Sequence, residues 1–123
     1  MEQSIMSIQS IKDVSADNIP ADNYLPDDEK ILSGRPEQNV WNVFSSKDDK
    51  FHTGIWDAQA GHWKVSYTED EYCVILGGES IIHDADGNTK RVKQGDHFVI
   101  PAGFQGTWEV PSYCKKIYVI YEA

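Results

Sequence analysis

The chain has 123 residues, 40% of them hydrophobic and 25% charged. That is the size and composition of one globular domain able to bury a core without staples. Its formal net charge of −9 argues against a nucleic-acid partner, because such binders carry a basic stripe. The charge reads as solubility, or as room for a cationic partner or substrate. Two cysteines, Cys73 and Cys114, do not make a disulfide framework and read as small buried hydrophobes. No basic-then-apolar run leads to a small-residue cleavage site, and no apolar stretch is long enough to span a bilayer. A cytoplasmic protein without a membrane partner is expected.

Residues 1–35 differ from the rest. They hold Pro20, Pro26 and the acidic run Asp27-Asp28-Glu29, and no helical period persists there. The segment reads as an extended arm lying on the remaining domain, 36–123, or on a neighbour; a tail without fixed structure is the alternative. Its apolar residues Ile5, Ile8, Ile11, Val14 and Leu25 point to a role in assembly more than in a pocket.

From Val40 onward, short β-prone runs alternate with turn signals. Strands are expected at Val40 to Phe44, Phe51 to Trp56, His62 to Tyr67, Glu71 to Leu76, Glu79 to Asp84, Thr89 to Lys93 and His97 to Ile100. Trp108 to Val110 and Lys116 to Tyr121 complete the set. Gln59-Ala60-Gly61 and Gly77-Gly78 read as strand ends, Thr68-Glu69-Asp70 as a bend and Asp86-Gly87-Asn88 as a hairpin turn. About nine or ten short strands with no convincing helix fit an all-β jelly-roll barrel.

Two segments carry the strongest pattern. Glu71 is followed by six residues and Gly78, and Gly95 by five residues, Pro101, one residue and Gly103. These resemble the Glu-x6-Gly and Gly-x5-Pro-x-Gly halves of the two cupin motifs. The wider string Gly54-Ile55-Trp56, Gly61, Tyr67, Glu71, Gly78, Gly95-Asp96, Pro101, Gly103-Phe104, Gly106, Trp108-Glu109-Val110 and Lys116-Ile117-Tyr118 resembles the small cupins grouped with the ureidoglycine aminohydrolase domain. The resemblance runs from about Val40 to Tyr121 and implies an RmlC-like cupin barrel. It also implies metal-assisted release of ammonia, with the metal held by carboxylate, histidine and amide ligands in two-cupin proteins. This chain is one cupin, and it departs at the ligand positions: Val65, Tyr67 and Gly106 stand where the motifs carry histidines. One surviving carboxylate is too few ligands for a first-row ion, so neither a barrel metal nor another cofactor is expected.

The other histidines do not restore the set. His62 lies an odd number of residues from Glu71, so alternation turns it to the opposite face. His52, His83 and His97 fall in separate strands or turns. They are surface or satisfied histidines, or two of them join Glu71 in a non-standard site.

Residues two apart on a strand share a face. If Glu71 points inward, so do Tyr67, Val65, Trp63 and Cys73; Phe104, Gly106, Trp108 and Val110 share the face of a second strand. Gly106 in a ligand's place leaves space for a pocket walled by aromatics, with Glu71 and the Tyr67 hydroxyl as its polar groups. Burial among rings penalises an ionised carboxylate, which makes Glu71 a candidate general acid or base with Tyr67 beside it. The plainer reading is a Glu71 hydrogen-bonded to backbone or to Tyr67. Cys73 lacks a His or Lys partner for a nucleophilic role, and Trp56, Trp63 and Trp108 are core residues or cavity walls.

The leading expectation is a small-molecule-binding cupin, a homodimer, with a metal-free pocket around Glu71 and Tyr67; whether it also catalyses a reaction is left open by the sequence. The alternatives are a metal-dependent hydrolase or lyase of the ureidoglycine aminohydrolase type and a non-catalytic dimeric interaction module.

Overall fold

The structure is a computed structural model and describes residues 5–123. Eight strands form one antiparallel sheet: β1 (Asp22–Tyr24), β2 (Ile31–Gly34), β3 (Gln38–Ser45), β4 (Phe51–Ser66), β5 (Asp70–Asp84), β6 (Thr89–Lys93), β7 (His97–Ile100) and β8 (Gln105–Tyr121). The order is β1-β3-β4-β8-β5-β6, with β2 added to β4 and β7 to β5. Two single-turn 3-10 segments, Ile8–Ser10 and Asp28–Lys30, complete the regular structure. The all-β architecture expected from the strand-and-turn pattern is present, and among the described residues no helix is long and apolar enough to cross a membrane.

The strands are fewer and longer than the turn signals imply. Gln59-Ala60-Gly61 and Gly77-Gly78 do not end strands; they are irregularities inside β4 and β5. The interruption continues across β8, where Pro111 and Ser112 fall between the paired residues on both sides. A proline is tolerated there because no ladder partner asks for its missing N–H. The three central strands therefore break at one level, and a bulge of this kind changes which residues face inward. Trp56 and Ala58 face the core before the break in β4, Trp63 after it; Cys73 and Ile75 precede the break in β5, Ile82 follows it.

The core joins these residues to Val92, Ile100, Trp108, Val110, Cys114 and Tyr118. Trp56 and Trp108 meet edge to face with centroids 5.9 Å apart, a favoured aromatic geometry. Cys73 and Cys114 are fully buried free thiols. The segment set apart as an arm lies on the sheet through two pairings: Asp22–Tyr24 on β3 and Ile31–Gly34 on β4. Ile5, Ile8 and Ile11 stay exposed.

Candidate functional site

Inward residues of β4, β5 and β8 line up in rows across the sheet. Trp56, Lys116 and Ile75 form one row, and His52, Ile120 and Glu71 lie two rows along. A lysine on a core-facing row has no apolar partner for its ammonium, yet its long stem can run across the intervening row. The Lys116 Nζ reaches Glu71 Oε2 at 3.1 Å, and both residues are only 4% exposed. The same Nζ sits 4.6 Å from the Trp56 ring centroid and 4.5 Å from that of Trp108, within cation–π range of both. The pair thus has a carboxylate at one end and two aromatic faces around its cation.

A cleft of about 670 Å³ opens onto this pair. Trp63, Val65, Tyr67, Glu71 and Trp108 all line it, as do Trp56, Lys116 and Tyr118. Gln38 accepts hydrogen bonds from Trp56 Nε1 at 2.7 Å and from the Tyr24 hydroxyl at 3.0 Å. The Tyr118 hydroxyl donates to Asn42 Oδ1 at 2.6 Å. Among the described residues no buried side-chain nitrogen or oxygen lacks a partner, as expected where polar groups are enclosed.

The electrostatics follow from enclosure. Desolvation works against the Lys116 ammonium, but attraction to Glu71 with help from Cys73 and Tyr67 outweighs it and holds the amine's pKa well above its usual value. Lys116 is accordingly favoured in its charged form beside Glu71. Burial raises the Tyr67 phenol far above the ordinary tyrosine range, with Glu71 adding to the effect and Lys116 opposing it. Burial likewise pushes the Cys73 thiol up to about 12, which removes it from nucleophilic chemistry near neutrality.

Three of the residues expected in the pocket lie off the cleft. Cys73 is fully buried beneath it, in the row between Glu71 and Ile75. Phe104 belongs to a smaller hollow of about 240 Å³ with Ile82, Phe98 and Ile100. Gly106 leaves no space: a β-carbon there would come within 2.1 Å of the His83 carbonyl oxygen, so the glycine serves close strand approach. Alternation did place Cys73 on the inward face with Glu71, but core packing covers it, and Phe104 precedes β8 in the bend after β7.

Two contributions to the site were not foreseen. Lys116 supplies the cation that Glu71 was expected to lack; its signal is the alternation Cys114, Lys116, Tyr118, Ile120 along β8. The arm forms a wall, since Tyr24, Leu25, Pro26, Asp27 and Lys30 line the cleft, so its role is not confined to assembly. His52 also borders the cleft, with its ring held by the Ser45 hydroxyl at 2.7 Å and the Asp49 carbonyl at 2.8 Å. His62 lies on the opposite face, paired with Glu109, and His97 is exposed on β7.

Known structures share this architecture. A protein of unknown function from Pseudomonas syringae pv. tomato superposes with a TM-score of 0.75 at 19% identity, over 84% of this chain and 45% of that one. The Clostridium difficile EutQ protein gives 0.65 at 22% identity, over 72% and 64%. A predicted oxalate decarboxylase from Thermotoga maritima gives 0.69 at 19% identity, over 89% and 98%. The chain thus spans less than two thirds of the first two. No curated protein matches it in sequence. The family of EutQ-like cupin domains matches residues 45–118, covering most of β4 through β8 with Glu71 and Lys116 inside it, and the chain belongs to that family.

Proposed function

We propose that this cupin binds a small polar organic molecule in the cleft, with the Glu71–Lys116 pair at its inner end in the place a metal occupies in other cupins. The observation that carries the reading is the Lys116 ammonium 3.1 Å from Glu71. A barrel metal does not fit the residues present. Val65 and Gly106 offer no donor atoms, the His52 ring already has two partners, and a divalent ion would be repelled by Lys116. The hydrolase or lyase reading of the ureidoglycine aminohydrolase type would require a divalent ion beside the buried Lys116 ammonium, which weighs against it.

The cleft residues suit recognition. Trp56, Trp63 and Trp108 present ring surface to a ligand's apolar face, while Lys116 offers a donor to its oxygens and the hydroxyl oxygens of Tyr24 and Tyr118, whose protons go to Gln38 and Asn42, can accept from its polar hydrogens. Mostly apolar walls with a few convergent polar groups are the usual composition of such sites. Any proton transfer in the cleft falls to Glu71, with Tyr67, whose proton is held far above the ordinary tyrosine range, as a hydrogen-bond donor beside it. Lys116 would hold an oxyanion through charge and hydrogen bonding.

The test uses tryptophan indole N–H resonances of chelator-treated protein titrated with millimolar panels of carboxylates, amines and sugars. Binding should move the Trp56, Trp63 and Trp108 signals and leave Trp41, which does not border the cleft, in place. A panel without effect, or shifts that require an added divalent metal, would overturn the reading.

One observation favours the dimeric interaction module as a second reading. β7 pairs on one side only, and its Val99 is 60% exposed beside the exposed Tyr72. An open edge with apolar side chains is suited to pairing with a second copy. Sedimentation showing a monomer at every micromolar concentration would end that reading.

A further inference from the structure

The face of the sheet opposite the cleft carries a second cluster, past the common break in β4, β5 and β8. His62 of β4 stands directly opposite Glu109 of β8, and His83 of β5 stands opposite Thr107, two residues along β8. Three adjacent strands thus deliver two imidazoles and a carboxylate to one spot. The His62 and His83 rings lie 4.8 Å apart between centroids. His83 Nε2 is 2.9 Å from Glu109 Oε1, and His62 Nε2 is 2.7 Å from the Thr107 hydroxyl. One potential ligand atom from each of His62, His83 and Glu109 lies within 4.8 Å of the others, and all three residues are half-buried.

We propose that His62, His83 and Glu109 form a binding site for a late first-row divalent cation, Zn²⁺ in the first place. Two imidazoles with a carboxylate match the preference of such ions for nitrogen and oxygen donors. Tetrahedral Zn²⁺ sets its ligand atoms about 3.4 Å apart at bond lengths near 2.1 Å. His83 Nε2 and Glu109 Oε1, at 2.9 Å, stand somewhat closer than that and the set as a whole, within 4.8 Å, somewhat wider, so side-chain adjustments on the order of 1 Å separate the two spacings. Three protein ligands leave a fourth position for water. The neighbouring charges are Lys64, opposite Thr107, and Arg91, which is already paired with Glu79 at 2.6 Å. Stacked imidazoles repel one another when both are protonated, whereas a metal shared between them turns that proximity into attraction.

The site is separate from the cleft, so it neither requires nor excludes a metal-free pocket. It does change what bulk metal analysis means: one Zn²⁺ per chain would say nothing about Glu71 until the bound ion had been located.

The experiment takes the full chain without a histidine tag, strips it with chelator and titrates it with Zn²⁺ by calorimetry and with Co²⁺ by visible absorption. The expected result is saturation at one ion per chain, with the d–d bands of a four-coordinate nitrogen–oxygen site. His62→Ala and His83→Ala should each weaken binding at least about tenfold, since even outer-shell losses can cost that much. His97→Ala, an exposed histidine of β7, should bind as the wild type does. If a variant fails to fold, the wild-type protein still decides: Zn²⁺ should shift the imidazole nitrogen resonances of His62 and His83 and leave those of His97 in place. No saturable binding, or binding unchanged by either cluster variant, or shifts confined to other histidines, would overturn the proposal.

Discussion

Replacing Lys116 by Met keeps most of the stem and removes only the ammonium, so it isolates the charge. Three effects then act on the folded state. Glu71 is left buried without its cation, the contacts of Nζ with the Trp56 and Trp108 rings are lost, and a favourable transfer of Met into the core partly offsets both. Removing one partner of a buried pair costs about 3–5 kcal/mol, mainly through the stranded charge. Cation–π contacts in a desolvated setting contribute about 2 kcal/mol, already included in that range. The single variant should therefore lose about 3–5 kcal/mol in urea unfolding monitored by tryptophan emission. The companion variant Glu71→Met should lose a similar amount. The double variant should recover most of it, because replacing a buried pair by apolar residues of like volume is often neutral or stabilising. The double-mutant cycle then reports a coupling above about 2 kcal/mol. A loss below about 1 kcal/mol for Lys116→Met, or additive single effects, would refute the claim that the two residues act as one buried unit.

Three further outcomes are expected. Gly103 has φ +99° with open space where a β-carbon would sit, so Gly103→Val should cost about 1–3 kcal/mol from backbone strain alone; unchanged thermal unfolding would count against this. Deleting residues 1–30 should preserve a β-rich circular dichroism spectrum but remove β1 and a cleft wall; Trp56 loses the arrangement in which Tyr24 shares its Gln38 acceptor. A red shift of tryptophan emission checks it, and an unchanged spectrum refutes it. Alkaline stability should fall from pH 9 upward: Cys73 holds its proton to about 12 in the folded chain against 9.0 ordinarily, and Tyr118 to about 12 against 10.0. The unfolded state releases these protons first, so stability present below pH 9 is lost as pH climbs through those values. Lys116, also raised, adds to the loss only above its ordinary 10.5. Urea midpoints that stay flat from pH 8 to 11 would contradict this.

Several features were legible because they rest on single-residue chemistry. Glu71 with Gly78, and Gly95 with Pro101 and Gly103, mark a strand and a bend whose geometry those residue types favour. The inward direction of Glu71 and the outward one of His62 follow from alternation, since no bulge lies between Gly61 and Glu71 in either strand's pairing. Lys116 was not legible, because a lysine defaults to the surface and only its buried carboxylate partner justifies an inward position. The merged strands were hidden for a related reason. Glycine pairs and a proline signal a turn in an isolated chain, but in a sheet with partners on both sides they mark a bulge. The meeting of His62, His83 and Glu109 depends on the order β4-β8-β5 and its register, which no local pattern encodes.

The ammonium in the barrel determines what chemistry its side chains can perform. Lys116 supplies one positive charge and N–H donors, of which Glu71 and the two indole faces occupy part. It has no vacant coordination position, so a substrate must approach through hydrogen bonding and charge rather than by ligation. With its proton held above the usual lysine range by Glu71, it is poorly suited to act as a base. Tyr67, with its proton held more tightly than in an ordinary tyrosine, is better suited to donating a hydrogen bond than to accepting a proton. A ligand oxygen drawing on Lys116 would loosen the hold of the ammonium on Glu71. Such an oxygen would compete with the Glu71 carboxylate for one ammonium, a consequence of the 3.1 Å contact beside an open cleft.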